Sequence, residues 1–392
     1  MIVLYLDNNA IDDEGLHALV AGMKNCHNLT TLHLNGNELI TQAGLRSLSA
    51  LFQSDSCRLE HLDLDELNID DDGVSILAAG LVSLSTLKRL HISDNSIGDE
   101  GLQALLVGGL ASLNLEELHL SRNSFSPSGL RSLRNWVQSA TRLNALSVCN
   151  NNINDEGLQC LVEGITNCSS LKTLGLSYNR LITSAGLRSL APFFQSDNCC
   201  MKELSLWGIH FGDDGAVALA DGLIGNESLT TLQFDSPGIT SRGWAAFSRL
   251  LCDASSVNNT YLSNHTLVKI GYGYYMRNAH SDIIEYLELN KALNCDADFC
   301  KILKNHPDFD IKPLFQWNLK CLPLLVTWLE KAGSYLGLSY VKESTRTFQC
   351  RQLSTVYKFV RGMPLLTVDG YRSQKKIDIQ SKSKKRKFDL TL

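Results

Sequence analysis

The stretch LTTLHLNGNELITQAGLRSLSALFQSD, residues 29–55, returns as LKTLGLSYNRLITSAGLRSLAPFFQSD, residues 171–197. Each copy opens on a segment in which leucine alternates with polar residues. In the first, Leu32 and Leu34 point one way while Thr31, His33 and Asn35 point the other, the period-2 signature of a strand. Each copy continues into GLRSL and further apolar residues at helical spacing. The strand therefore arrives with the helix that covers its leucines.

Outward from these copies, the pattern L-x-x-L-x-L-x-x-N-x-I/L starts at Met1, Leu29, Leu59, Leu87, Leu115, Leu143, Leu171, Met201, Leu229 and Val257, with spacings of 28 or 30 residues. A fixed period in this range marks a solenoid. The offset of 142 residues between the quoted copies also relates NNAIDDEGLHALVAG to NNNINDEGLQCLVEG, and LEHLDLDELNIDDDG to MKELSLWGIHFGDDG. Even a departure is copied, because Leu67 and Ile209 both replace the usual asparagine. A block of five repeats has been duplicated as a unit.

Asp13, Asp71, Asp99, Asp155 and Asp213 stand just before Asp/Glu-Gly and are expected to cap the helix that each begins. Asn9, Asn37, Asn95, Asn123, Asn151 and Asn179 recur at the strand exit, where an amide can both donate to and accept from buried turn backbone. The asparagine lapses at Leu67, Ile209, Pro237 and His265, which predicts the poorest regularity in repeats three, eight, nine and ten.

The motif LxxLxLxxNxIxDxGxxxL, as in LKRLHISDNSIGDEGLQAL and LNALSVCNNNINDEGLQCL, resembles the ribonuclease-inhibitor-like class of leucine-rich-repeat proteins over residues 1 to about 270. The resemblance implies an α/β horseshoe with a parallel sheet on its concave face and helices outside. Beyond it, a helical C-terminal region is expected over 271–365 and a basic disordered tail over 366–392. That scaffold serves ribonuclease inhibition, Ran GTPase activation and innate-immune sensing, so the resemblance does not by itself choose a function.

Charge divides the chain: residues 1–256 carry a net −14 and residues 257–392 a net +9. The twelve cysteines form no CxxC pair and read as reduced thiols. The start MIVLYLDNNAIDDEG lacks the form of a secretory signal, and CLPLLVTWL at 321–329 is too short to span a membrane. An intracellular protein, cytoplasmic or nuclear, is expected. Met1 occupies the first leucine position, which points to a truncated start or to an edge covered by a partner. In the tail, Lys382, Lys384, Lys385, Arg386 and Lys387 resemble a nuclear import signal, and nucleic-acid contact is expected only through this segment.

The middle exposed strand position forms a row: Tyr5, His33, Asp63, His91, His119, Ser147, Gly175, Ser205, Gln233 and Tyr261. His33, Asp63 and His91 would then be neighbours, a set able to hold a metal or relay a proton. No nucleophile accompanies them, and the reading taken is of a noncatalytic site with no metal and no cofactor. Flanking positions add Asp7, Asp65, Glu66, Asp94, Glu117, Glu203 and Asp235 against Arg89 and Arg122, and Tyr178 and Trp207 supply aromatic anchors. An acidic concave face favours a basic protein partner. NIDDDG at 68–73 lacks the closing glutamate of a calcium loop, GYGYY at 271–275 lacks the context of a phosphate loop, and no GxxxxGKS/T occurs. The function expected is a noncatalytic interaction scaffold, without small-molecule substrate or membrane insertion; the alternative is a regulator of a Ran-like small GTPase.

Overall fold

The computed structural model describes residues 2–24, 26–111, 113–166, 168–235, 238–271, 281–293 and 297–306. Residues 307–392, which hold most of the helical region expected over 271–365 and all of the basic tail, lie outside the described residues.

Among the described residues, ten short strands form one parallel sheet in chain order. They are β1 (Ile2–Tyr5), β2 (Leu29–His33), β3 (His61–Asp63), β4 (Arg89–His91), β5 (Glu117–His119), β6 (Ala145–Ser147), β7 (Thr173–Gly175), β8 (Glu203–Ser205), β9 (Thr231–Gln233) and β10 (Lys269–Ile270). The register follows the repeat, so that Leu32, Leu62, Leu90, Leu118, Leu146, Leu174, Leu204 and Leu232 stand side by side. None of these leucines is more than 1% exposed. At about 1.5–3 kcal/mol for each buried leucine, this apolar column is what makes repeats stack.

Helices cover the column: α1 (Asp13–Met23), α2 (Gln42–Phe52), α3 (Asp71–Leu81), α4 (Asp99–Gln103), α5 (Gly129–Ser139), α6 (Asp155–Ile165), α7 (Ser184–Arg188), α8 (Ala191–Phe194), α9 (Gly212–Gly222) and α10 (Ser241–Leu251). The duplicated copies differ here for a clear reason. Where α2 runs unbroken through Ala50, the second copy has Pro192. Proline cannot donate to the carbonyl of Arg188, so the helix divides into α7 and α8 with Pro192 in the first turn of the latter. In the fourth repeat α4 continues as a π-helical turn over Ala104–Gly109, an irregularity that the periodicity does not encode.

The asparagines bridge turns as the pattern predicts. Asn37 Oδ1 accepts from the N–H of Asn9 and of Ile11, both at 3.0 Å, while its Nδ2 donates to Leu6 O at 2.9 Å and Leu34 O at 2.7 Å. Asn95, Asn123, Asn151 and Asn179 make the same kind of bridge in their repeats. The expected irregularity at repeats three and eight is corrected. Leu67 and Ile209 are 1% and 0% exposed, apolar packing takes the place of the amide, and β3 and β8 keep register with both neighbours.

The aspartates need a second correction. The helix caps lie one residue earlier: Asp12, Asp70 and Asn154 accept from the N–H of Gly15, Gly73 and Gly157 at 2.8–2.9 Å. The following aspartate reaches sideways to the next repeat. Asp13 accepts from Thr41 N and Gly44 N at 2.8 Å and from the Thr41 hydroxyl at 2.6 Å; Asp155 does so with Thr183, and Asp213 with Thr240. Asp99 takes the Ser126 N–H and hydroxyl, and Asp71 the Gly98 N–H. Each carboxylate thus satisfies free donors at the start of its neighbour's helix.

The tenth repeat begins later than its spacing suggests. Val257–Tyr261 forms a helix, α11, capped by the Ser256 hydroxyl, which accepts from Asn259 N at 3.1 Å. Leu267 and Ile270, 0% and 1% exposed, fill the leucine positions instead, and β10 pairs with Thr231 and Leu232. Tyr261 therefore leaves the expected row. The chain divides into two compact units, one of residues 1–251 and 266–287, the other of 252–265 and 288 onward. The helix α12 (Ser281–Leu293) runs across the division in the chain, and the second unit also holds α13 (Ala297–Asn305). No helix among the described residues is long and apolar enough to cross a membrane.

Candidate functional site

On the face of the sheet opposite the helices, strand pairing places Tyr5 beside His33, His33 beside Asp63, Asp63 beside His91, and His91 beside His119. Asp63 is the centre of this group. Its Oδ2 lies 3.2 Å from His33 Nδ1 and 3.7 Å from His91 Nδ1, and accepts from Asn35 Nδ2 at 2.9 Å. Asp63 is only 6% exposed, so it lies beneath the surface and organises its neighbours, a correction to its expected place as a contact residue. Burial opposes its charge, but His91 and Asn35 hold the carboxyl at about 2.

His61 belongs to this group and escaped the single-row reading. It lies two residues before Asp63, hence on the same face of β3. It completes a continuous file of rings: Tyr5 on His33 at 4.7 Å between centroids, His33 to His61 at 4.9 Å, His61 to His91 at 4.8 Å, and His91 on His119 at 4.1 Å. Burial, then the neighbouring imidazoles, push His61 down to about 4, and burial followed by His91 does the same to His119. His91 is also partly desolvated, yet the Asp63 carboxylate outweighs this and raises it. The Nε2 atoms of His61 and His91 are buried with no hydrogen-bond partner among the described residues.

Along the strand exits runs a second row. Asn8, Gly36, Glu66, Asp94, Arg122, Asn150, Tyr178 and Gly208 all adopt left-handed backbone, with φ between +50° and +67°. The geometry lets each backbone N–H turn to the next repeat, as Glu66 N does to Ser93 O at 3.1 Å and Arg122 N to Cys149 O at 2.8 Å. The same geometry throws the side chains outward, leaving Glu66 and Arg122 exposed and Tyr178 48% exposed.

The other expected contact residues divide by partner. Arg89 reaches Glu117 at 3.6 Å, and Arg122 reaches Asp94 at 3.0 Å. Asp65 and Asp235 each accept a turn N–H at 2.5 Å, from Ser93 and Gly208 respectively. Burial and the charge of Asp63 push Asp65 up to about 6. Trp207 is half-buried, its Nε1 donating to Gln233 Oε1 at 3.0 Å. In the second unit Lys301, fully buried, donates to Asn264 O at 2.9 Å and lies 3.1 Å from His265 Nδ1. Burial brings this lysine down to about 7, and nothing in the sequence around it signals that.

The family model described as Leucine Rich repeat matches residues 25–49, 83–106, 111–133, 141–162 and 167–191, in phase with the strands. The chain is a leucine-rich-repeat protein. Such repeat domains are generally protein-binding and typically noncatalytic. Among solved structures, this leucine-rich-repeat chain is similar to one in the complex of Rad7 and Elc1 from yeast, with 17% identity, TM-score 0.38, and coverage of 71% of this chain and 80% of that one. It is also similar to the tropomodulin C-terminal domain of Caenorhabditis elegans, with 16% identity, TM-score 0.28, and coverage of 43% of this chain and 84% of that one. No curated protein sequence matches it.

Proposed function

We propose that the open face of the sheet, with its strand-exit rim, is a docking surface for a protein partner that presents basic side chains. The observation that carries this reading is the left-handed row. An L-residue other than glycine, asparagine or aspartate pays roughly 1–2 kcal/mol in that conformation, and Glu66, Arg122 and Tyr178 are such residues among the eight. Glu66, Arg122 and Tyr178 stand where glycine would relax the turn, and strain kept at exposed positions is most economically explained by use. Around β3 to β5 the face carries Asp63, Asp65, Glu66, Asp94 and Glu117 against Arg89 and Arg122, a negative balance that steers a basic surface. The side chains rise from paired strands, so docking orders little of the chain and keeps most of its interaction energy.

The test compares affinity capture by the intact chain with capture by the combined variant Glu66→Gly, Asp94→Gly and Tyr178→Gly. Glycine suits all three backbones, so the fold survives. A partner with basic contacts that is held by the first and lost by the second is the expected result. An unchanged set of captured proteins refutes the assignment of the rim.

A further inference from the structure

We infer that His61, Asp63 and His91 form a binding site for a divalent transition-metal ion of the zinc class. This goes beyond partner docking and does not depend on it. One ligand atom from each of the three side chains lies within 4.8 Å of the others. In a tetrahedral zinc site with bonds of about 2.0–2.1 Å, ligand atoms stand about 3.4 Å apart, so closure asks each side chain to move by less than about 1 Å. Two imidazoles and a carboxylate are a donor set that suits zinc and its neighbours and leaves a fourth position open.

The alternative is a file of stacked rings that serves packing alone. Two observations weigh against it. Most buried polar atoms have a hydrogen-bond partner, yet among the described residues His61 Nε2 and His91 Nε2 are buried without one, and His91 meets Asp63 through its other nitrogen, Nδ1, at 3.7 Å. Asp63 is nearly buried, and among the described residues no guanidinium or ammonium lies within ion-pair distance of it; its ion-pair contacts are His33 and His91. A cation at this point would meet the carboxylate and take up imidazole lone pairs. His33 and Asn35 already contact Asp63 Oδ2, and they would orient it from outside the coordination shell.

His91 is also shared with a second grouping, His91, Glu117 and His119, which lies further along the same file. Ring and carboxylate variants separate the two. The experiment titrates ZnCl2 into the untagged, metal-stripped full chain by calorimetry, and follows Co2+ by its visible absorption. One ion per chain at submicromolar Kd is expected, with a rise in Tm on loading. His61→Ala should weaken binding by at least 100-fold and abolish the Tm rise, while His119→Gln leaves both within about threefold. Circular dichroism of each metal-free variant checks that the sheet is intact. Absence of saturable binding overturns the inference, as does binding lost in His119→Gln but kept in His61→Ala. Should His61→Ala fail to fold, Asp63→Asn, which keeps shape and the Asn35 side of the contact, must show the same loss of Zn2+ affinity.

Discussion

At the scale of single residues, the left-handed positions set stability against use. Glu66, at φ +56°, sits in the turn where its counterpart Gly208 sits at φ +66°. Replacing Glu66 with glycine removes the steric cost but admits more unfolded conformations, for a net gain of about 0.5–1 kcal/mol. The urea midpoint should rise accordingly, and a fall would mean that the Glu66 side chain makes a stabilising contact that outweighs the strain. Such a gain would place Glu66 among residues retained against stability for what they bind. The histidine group shows what a sequence conceals at this scale. His33, Asp63 and His91 were legible as neighbours because they share one column of the repeat. His61 was missed because reading one position per strand ignores that residues two apart share a face, and the burial of Asp63 depends on its packing between rings from two other strands.

At the scale of elements, strands and helices were legible because each repeat carries both periods, and their ends were less so. Asp13 and Asp155 look like caps for their own helices, and a carboxylate in a first turn suits either role. The choice is made laterally, by a threonine 28 residues on whose N–H and hydroxyl both point back. Asp213 makes the same contact with Thr240 and also accepts from Gly243 N at 3.0 Å. Asp213→Ala should cost about 1–2 kcal/mol at neutral pH, in the range of lost helix caps. The Thr240 hydrogen bonds hold the Asp213 carboxyl below its ordinary 3.8. A carboxyl depressed in the folded state contributes stability that is complete above 3.8 and is lost as the pH falls through the folded value. The gap between wild type and variant should thus be constant from neutral pH down to about 5 and close at lower pH. Denaturant titrations at pH 7, 4 and 2.5 check this, and a gap that persists at the lowest pH would assign the effect to packing.

At the scale of the whole array, duplication sets one residue type in two different places. Asn9 and Asn151 are counterparts, 142 residues apart in copies of the same block. Asn9 lies beside the first strand, exposed, and its side chain donates to Asp7 O at 3.0 Å. Asn151 lies at the seam between the copies, 8% exposed; it accepts from Asn123 N at 3.1 Å and donates to Leu120 O at 3.1 Å and Val148 O at 3.2 Å. In a linear array each repeat is stabilised only through its neighbours, so the consequence of a lost bridge depends on where the bridge stands. Asn151→Ala leaves several buried backbone groups unpaired, each at about 1–3 kcal/mol, and does so at the interface that joins the five-repeat blocks. Unfolding in urea, followed by circular dichroism, should then lose its single transition and resolve into two, while Asn9→Ala keeps the wild-type curve within about 0.5 kcal/mol, as expected for an exposed site. If both variants unfold in one transition with equal midpoints, the asparagine bridges do not carry the coupling between repeats, and the buried leucine column holds the blocks together alone.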